Sequence, residues 1–439
     1  MTTHTTPSSH TELIAQTLQS AAIPVLSRAS IRELVSLVNQ LEAVTRMRYV
    51  RMEMGVPGLP APSVGIDAEI EALRSGVASR YPMLEGVAPL KQEISRFCRL
   101  FMNIDVDPNG CFPTVGAAQG ALAAFLVGNR TKTSGATLFI DPGFPNQKRQ
   151  LDMIGQEWGS FDVYEHRGEV LRPALEAHLS SGKYTTMLYS NPNNPAWICF
   201  DEQELKIIAD VASRHDVIVI EDLAYFGMDY RADYTTPGQA PYQPSIAHYT
   251  DQYILLISSS KVFSYAGQRI ASLVISDALY QRHFPSLETN FHQTQFGKAI
   301  LFGTLGGLTA GVTHSTQYGL AAMLKAANEG ELPFLHLTKV YEQRAAKMKA
   351  LFVEHGFSLV YDEDNGIPLS DGFYFTFAFT GMDGDALLEG LLHHGISAIS
   401  LANTGSNRVE GARACVSQVK EDQLPDLAQR LAAFQRQFG

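Results

Sequence analysis

The residues of this chain best suited to covalent chemistry are one lysine and the hydroxyls and arginine around it. Lys261 stands behind the apolar run YILLI (253–257), at the end of the serine cluster SSSK (258–261). Arg269 follows in GQRIA (267–271). A lysine at the end of a buried strand is costly unless it is neutralised or used covalently. Hydroxyls and a guanidinium close by make a place for a phosphate. Pyridoxal 5'-phosphate needs both, an amine for its aldehyde and an anchor for its phosphate. Taken alone, the lysine also fits a plain solvated strand end, so the reading depends on whether the other parts of such a site occur.

Further stretches supply candidates. GAAQG (116–120) is a small-residue turn opening a helix, where backbone N–H groups bind phosphate, or where small residues simply pack. Phe144, in DPGFPN after a strand, suits stacking on a planar ring, and equally suits a core or lid aromatic. SNPNNP (190–195) follows another strand; its prolines fix the loop and Asn194 can donate to a ring oxygen, against the reading of an ordinary turn. EDLAY (221–225) ends the strand VIVIE. Asp222 there needs a cationic partner, which a protonated pyridine nitrogen supplies; the alternative is a helix N-cap. Tyr225 lies three residues on, within reach of the ring hydroxyl.

The elements that position these residues show a strand–helix rhythm. ATLFI (136–140), TTMLYS (185–190), VIVIE (217–221), YILLIS (253–258) and ASLVIS (271–276) are short apolar runs, with helices such as 201–215 between several of them. That pattern predicts an α/β fold with a mainly parallel sheet covered on both faces, and ligands at the carboxyl ends of its strands. Helices are expected at 90–102 and 116–128, and mainly helix over 280–356, with a Gly-rich patch at 303–311. After about 370 the character changes to α+β: strands at 373–379, 396–400 and 412–417, a helix at 383–395 and a closing helix. The expected division is a disordered arm at 1–12, the N-terminal part of a small domain with its connector at 13–65, a large cofactor-binding domain at 66–315 and the rest of the small domain at 316–439. The Gly/Pro-rich 54–65 stretch reads as a linker or as a segment across a site mouth.

Composition narrows the function classes. A net charge of −11 argues against a nucleic-acid footprint. The 4 cysteines are scattered without a CxxC pair, which argues against a zinc site or disulfide framework and fits a reducing compartment. The polar N-terminus lacks a signal-peptide pattern, and no apolar run reaches the roughly 18 residues of a membrane span. A cytoplasmic protein without membrane or nucleic-acid partners and without a metal is expected.

Taken in order, YPMLEG, GAAQGAL, DPGFP, NPNNP, EDLAY, SSSK and GQRIA resemble the ordered motifs of class I/II aminotransferases, the fold-type-I pyridoxal-phosphate enzymes. The resemblance runs from about residue 30 to the end. It implies that Lys261 is the Schiff-base lysine, acting also as the acid–base group. It implies that Ser258, Ser260, Arg269 and the backbone at Ala117 and Ala118 hold the phosphate. Phe144 is then the stacking aromatic, Asn194 and Tyr225 bind the ring hydroxyl, and Asp222 binds the pyridine nitrogen. Tyr81 matches the tyrosine that reaches the phosphate of a neighbouring subunit, implying a homodimer with shared sites. Arg413 matches the clamp for the substrate α-carboxylate. The implied activity is ping-pong transamination between an amino acid and a 2-oxo acid. The rival on the same fold is β-elimination by a carbon–sulfur lyase; a non-catalytic regulator is expected to carry a DNA-binding segment, and the leading 50 residues have no basic cluster. The chain departs from the family pattern at Ala196-Trp197, where Thr-Gly is common, and at Ala271, where a glycine commonly stands. It also departs in the loop after Gly55. Gly55 and Trp197 are therefore expected on the substrate side, shaping the pocket.

Overall fold

The computed structural model describes residues 10–21 and 23–439, which divide into two compact units. The larger takes Pro57–Lys339 and a later return, Glu363–Ser370; the smaller takes the described residues up to Val56, then Val340–Asp362 and Asp371–Gly439.

The larger unit is built on a seven-stranded sheet. Its order is Cys111–Thr114, Ala271–Ile275, Tyr253–Ser258, Ile218–Leu223, Tyr184–Ser190, Ala136–Asp141, Trp158–Asp162. Ala271–Ile275 runs antiparallel to both neighbours, and every other pairing is parallel. The central runs YTTMLYS, IVIEDL and YILLIS are buried along their whole length. That is the signature of strands covered on both faces. Helix Gly116–Gly128 is nearly all small or apolar and packs tightly on this sheet. A Cβ on Gly120 would stand 2.9 Å from the Leu256 side chain. Because the directions agree, the segments after Thr114, Asp141, Ser190, Leu223 and Ser258, and the one before Ala271, all emerge at one edge.

The smaller unit carries a four-stranded antiparallel sheet ordered Ile399–Ser400, Ala412–Cys415, Tyr374–Phe379, Phe357–Leu359. Phe352 of helix Val340–Glu354 packs 4.4 Å from Phe377, ring to ring, and Phe434 of helix Leu424–Phe438 packs 5.1 Å from Phe357. Helix Ile31–Thr45 starts at a capping box formed by Ser30 and Glu33.

Several sequence-based boundaries move. Of the expected arm at 1–12, residues 1–9 lie outside the described residues, and His10 already opens helix His10–Ser20. The larger unit extends to Lys339 because helix His314–Asn328 packs on helices Ser63–Arg74 and Ala88–Met102 of that unit. The 57–65 stretch likewise joins the larger unit. ISAIS is not one strand. Ile396–Ser397 pairs in parallel with Val50–Arg51, while Ile399–Ser400 pairs with Ala412–Cys415. Strand Trp158–Asp162 escaped notice because WGSFD is short, half-buried and poor in β-branched residues.

Candidate active site

The expected cofactor residues of the larger unit, Tyr81 apart, follow or directly precede strands at the carboxyl edge of its sheet. Strand Tyr253–Ser258 ends on Ser258, whose hydroxyl accepts from the Ser260 N–H at 3.2 Å and caps the single turn Ser259–Val262. Lys261 sits on that turn, half-buried. Ser259 faces elsewhere, since its hydroxyl donates to the Ile270 carbonyl at 2.5 Å. The cluster thus splits: Ser259 ties the turn to the next strand, leaving Ser258 and Ser260 beside Lys261.

Arg269 meets the small-residue turn. A Cβ on Gly116 would lie 2.3 Å from Arg269 Nη2, and Gly116 has φ +66°. Only glycine satisfies that backbone and that close approach together. Ala117 and Ala118 stand in the first turn of helix Gly116–Gly128, where backbone N–H groups have no partner within the helix. Gln150 Nε2 donates to the Ala118 carbonyl at 2.8 Å, bracing that turn.

Asp222 closes strand Ile218–Leu223 opposite Ser190 and is buried. Gln147 Nε2 donates to its Oδ2 at 2.8 Å and the Ala224 N–H to its Oδ1 at 3.1 Å. Burial pushes its carboxyl up to about 6, against the pull of those two donors. Among the described residues, no Lys, Arg or His forms an ion pair with it. Gln147, in the first turn of helix Pro145–Met153, escaped the sequence reading. Phe144 is half-exposed and directly precedes helix Pro145–Met153. Asn193 escaped as well. Its amide donates to the Pro142 carbonyl at 2.7 Å and accepts from the Ala196 N–H at 3.0 Å, joining the two loops and setting the place of its neighbour Asn194. Tyr225 is buried on the turn after Leu223. Trp197 is buried too, its ring edge-on to Tyr225 at 5.4 Å.

Glu221 points to the opposite face of the sheet from Asp222. It accepts from Ser245 at 2.5 Å, from Tyr189 at 3.1 Å and from the Ile246 N–H at 3.2 Å. Burial pushes it up to about 7 despite these donors.

The remaining candidates lie elsewhere. Arg413 and Gly55 belong to the smaller unit. Arg413 is buried, donates to the Glu53 carbonyl at 2.7 Å and lies 4.2 Å over the Tyr374 ring. A Cβ on Gly55 would stand 2.1 Å from the Tyr374 hydroxyl, so this position admits only glycine without a shift. Tyr81 is 91% exposed on the larger unit. Among the described residues there is no His/Cys/Asp/Glu group able to hold a metal, and no helix long and apolar enough to cross a membrane.

The chain as a whole is similar to known proteins. A model of the family "aminotransferase class I and II" fits residues 50–431, and the chain belongs to that family. Its members use pyridoxal 5'-phosphate on amino acids and 2-oxo acids. A probable aspartate aminotransferase of Methanocaldococcus jannaschii is 24% identical over 276 residues, covering 63% of this chain and 70% of that relative. An S-alkyl-thiohydroximate lyase of Arabidopsis thaliana is 27% identical over 160 residues, 36% of this chain and 34% of the relative. A double mutant of Thermus thermophilus aspartate aminotransferase superposes with a TM-score of 0.75 at 16% identity, covering 95% of this chain and 98% of that one. The protein is an aminotransferase with the α/β architecture the sequence predicts.

Proposed function

We propose that this aminotransferase passes an amino group from an amino acid to a 2-oxo acid in a ping-pong cycle, using pyridoxal 5'-phosphate held at the carboxyl edge of the large sheet. The observation that carries the reading is Asp222, a buried carboxyl whose partners among the described residues are an amide and a backbone N–H. Such a carboxyl calls for a cation from outside the chain. The Gly116 cradle against Arg269 is the second fit, shaped and charged for a phosphate.

When bound, the cofactor supplies an aldehyde to take up the amino group and a ring that draws electrons from the amino acid's Cα. Asp222 holds a proton on the ring nitrogen. Ser258, Ser260, Arg269 and the N–H groups at Ala117 and Ala118 bind the phosphate, and Phe144 covers the ring face. Asn194 and Tyr225 donate to the ring oxygen. Lys261 Nζ would be the amine that holds the cofactor's aldehyde, and as a free amine it would take the proton from Cα as general base. Arg413, stacked on Tyr374, pairs with the α-carboxylate and orients the Cα–H bond. Gly55 leaves room for Tyr374 to do so. Tyr81, 91% exposed, and Met83, 65% exposed, are surface for a second copy, with Tyr81 completing the partner's phosphate site. The buried thiols Cys98, Cys111, Cys199 and Cys415, none of them in a disulfide, suit a reducing, cytoplasmic compartment.

Lys261→Ala is the test. Borohydride reduction of the loaded protein followed by peptide mass analysis is expected to place the pyridoxyl group on Lys261 in the wild type and nowhere in the variant. Turnover is expected to fall by about 10⁴-fold. Trapping on another residue, or normal turnover by the variant, rejects the assignment. Release of pyruvate and ammonia from an amino acid alone, without the aminated cofactor, would favour elimination; one relative is named a lyase, an S-alkyl-thiohydroximate lyase.

A further inference from the structure

The hairpin Glu363–Ser370 is the one return of the chain to the larger unit after Lys339. Its strands Glu363–Asp364 and Ile367–Pro368 pair antiparallel. Within the larger unit it is bonded along its length. Asp364 accepts from Arg167 Nη1 at 2.6 Å and from Arg231 Nη2 at 2.9 Å. Asn365 donates to Asp201 at 2.8 Å. Two of its contacts fall on one short segment, 197–199. Asp364 takes the Cys199 N–H at 3.2 Å, and the Ser370 hydroxyl takes the indole N–H of Trp197 at 3.1 Å. The hairpin therefore grips that segment at both ends.

Trp197 is an unusual residue to grip. Its φ is +66°, a conformation natural to glycine and costing a bulky residue about 1–3 kcal/mol. Its N–H is held by the Asn193 carbonyl at 3.1 Å. Its ring meets Tyr225 at an interplanar angle of 69° with centroids 5.4 Å apart, the edge-to-face arrangement aromatic pairs prefer. A strained backbone, a buried indole N–H given a dedicated acceptor and an aromatic contact all converge on the ring of Tyr225.

We propose that the hairpin Glu363–Ser370 and Trp197 form a brace that sets the position of Tyr225, with Trp197 as a positioning residue. The brace stands on contacts within the larger unit. Its consequence for catalysis rests on the reading of Tyr225 as donor to the cofactor's ring oxygen. Hairpin to indole to phenol is a chain of direct contacts, so loosening either of the first two removes a contact that helps hold the third.

The test has one arm without cofactor and one with it. In the cofactor-free full-length protein, Trp197→Gly is expected to speed hydrogen exchange of the Phe226 and Met228 amides, which close the Tyr225 turn, by about tenfold or more. Amides of strand Tyr253–Ser258 are expected to keep their protection. Glycine suits the local backbone, and Ser370→Ala, a smaller change, is expected to act in the same direction if the glycine variant fails to fold. In the loaded protein, the midpoint of the pH-dependent absorbance of bound cofactor is expected to move in Trp197→Gly in the same direction as in Tyr225→Phe, and to move less in Trp197→Phe, which keeps the ring contact with Tyr225 but loses the bond to Ser370. Unchanged exchange at Phe226 and Met228 in both Trp197→Gly and Ser370→Ala overturns the brace. Faster exchange with no midpoint shift in Tyr225→Phe keeps the brace and overturns the role given to Tyr225.

Discussion

Two buried groups of charge in the larger unit behave in opposite ways. Around Arg167, charges cancel within the protein. Arg167 binds Glu204 through Nε at 2.7 Å and Nη2 at 2.8 Å, and Asp364 through Nη1 at 2.6 Å. Arg231 pairs with Asp229 and Asp364 at 2.8 and 2.9 Å. Burial raises Glu204, but the guanidinium and the N–H groups of Gly168 and Asp201 outweigh it and hold the carboxyl below its usual range. At the carboxyl edge of the sheet, burial wins instead, and Asp222 is pushed up to about 6. Carboxylates of both groups are buried and hydrogen-bonded. Asp364, though paired with two guanidiniums, is itself raised by burial, so the difference between the groups is the countercharge: Glu204 and Asp364 have one among the described residues and Asp222 has none. A buried carboxylate with countercharges within the chain holds structure, whereas one at a strand's carboxyl end with neutral donors alone is a candidate for binding a cation.

The largest expected effect breaks the self-contained group. Arg167→Met leaves Glu204 and Asp364 buried without their shared guanidinium. It is expected to lower stability by about 3–5 kcal/mol in urea unfolding, because an uncompensated buried charge remains. Loss below about 1 kcal/mol would mean that the network does not act as a compensated unit. Adding Glu204→Leu to that variant is expected to restore part of the loss by removing an orphaned charge.

How much of this was legible in the sequence follows from the same physics. Apolar runs announce buried parallel strands, and the segments that follow them land at one edge, so Lys261, Asp222, Asn194 and Phe144 could be placed from order alone. Residues that act through a bond to another side chain carry no such signal. Asn193 reads as part of a loop motif and Gln147 carries no signal at all, and only the folded structure shows what they hold. The Arg167 network joins positions as distant as 167 and 364, a separation no local pattern encodes. Trp197 was visible as a departure from the usual glycine, but its indole turns to Ser370 and the ring of Tyr225, which no spacing predicts. The boundary at Lys339 depends on which helices His314–Asn328 packs against, a tertiary choice that amphipathic periodicity leaves open.

The intermediate effect runs the same operation in the site and reverses its sign. Asp222 has its folded value raised from 3.8 to about 6, so its contribution to stability is present below 3.8 and lost as pH rises through about 6. At pH 8 the ionised carboxyl then costs the cofactor-free protein up to about 3 kcal/mol. Asp222→Asn removes that charge; its oxygen can keep the Ala224 N–H, and its NH₂ can donate to Gln147 once that amide flips to present its oxygen. The cofactor-free variant is expected to be more stable than wild type at pH 8, by about 1–3 kcal/mol, with the gain shrinking toward pH 4. The same variant is expected to hold pyridoxal 5'-phosphate more weakly. An equal or lower stability at pH 8 would mean that Asp222 has a countercharge within the chain.

The smallest effect belongs to Glu221, on the other face of the same strand. Its value is raised from 4.5 to about 7, so its contribution to stability is present below 4.5 and lost as pH rises through about 7. Unlike Asp222, it lies in a closed set of donors. Ser245 and the Ile246 N–H meet Oε2, and the Tyr189 hydroxyl meets Oε1. Glu221→Gln can keep that set if its carbonyl oxygen faces Ser245 and Ile246. Its NH₂ then faces Tyr189, whose hydroxyl can turn from donor to acceptor. Stability near pH 6 is therefore expected to change by no more than about 1 kcal/mol. What changes is the slope: wild-type stability falls between pH 5 and 8, and the fall is shallower in the variant. Urea midpoints of cofactor-free wild type and variant across that range decide the matter. Parallel curves would show that Glu221 keeps one protonation state throughout, and that Asp222 carries the titration of this strand by itself.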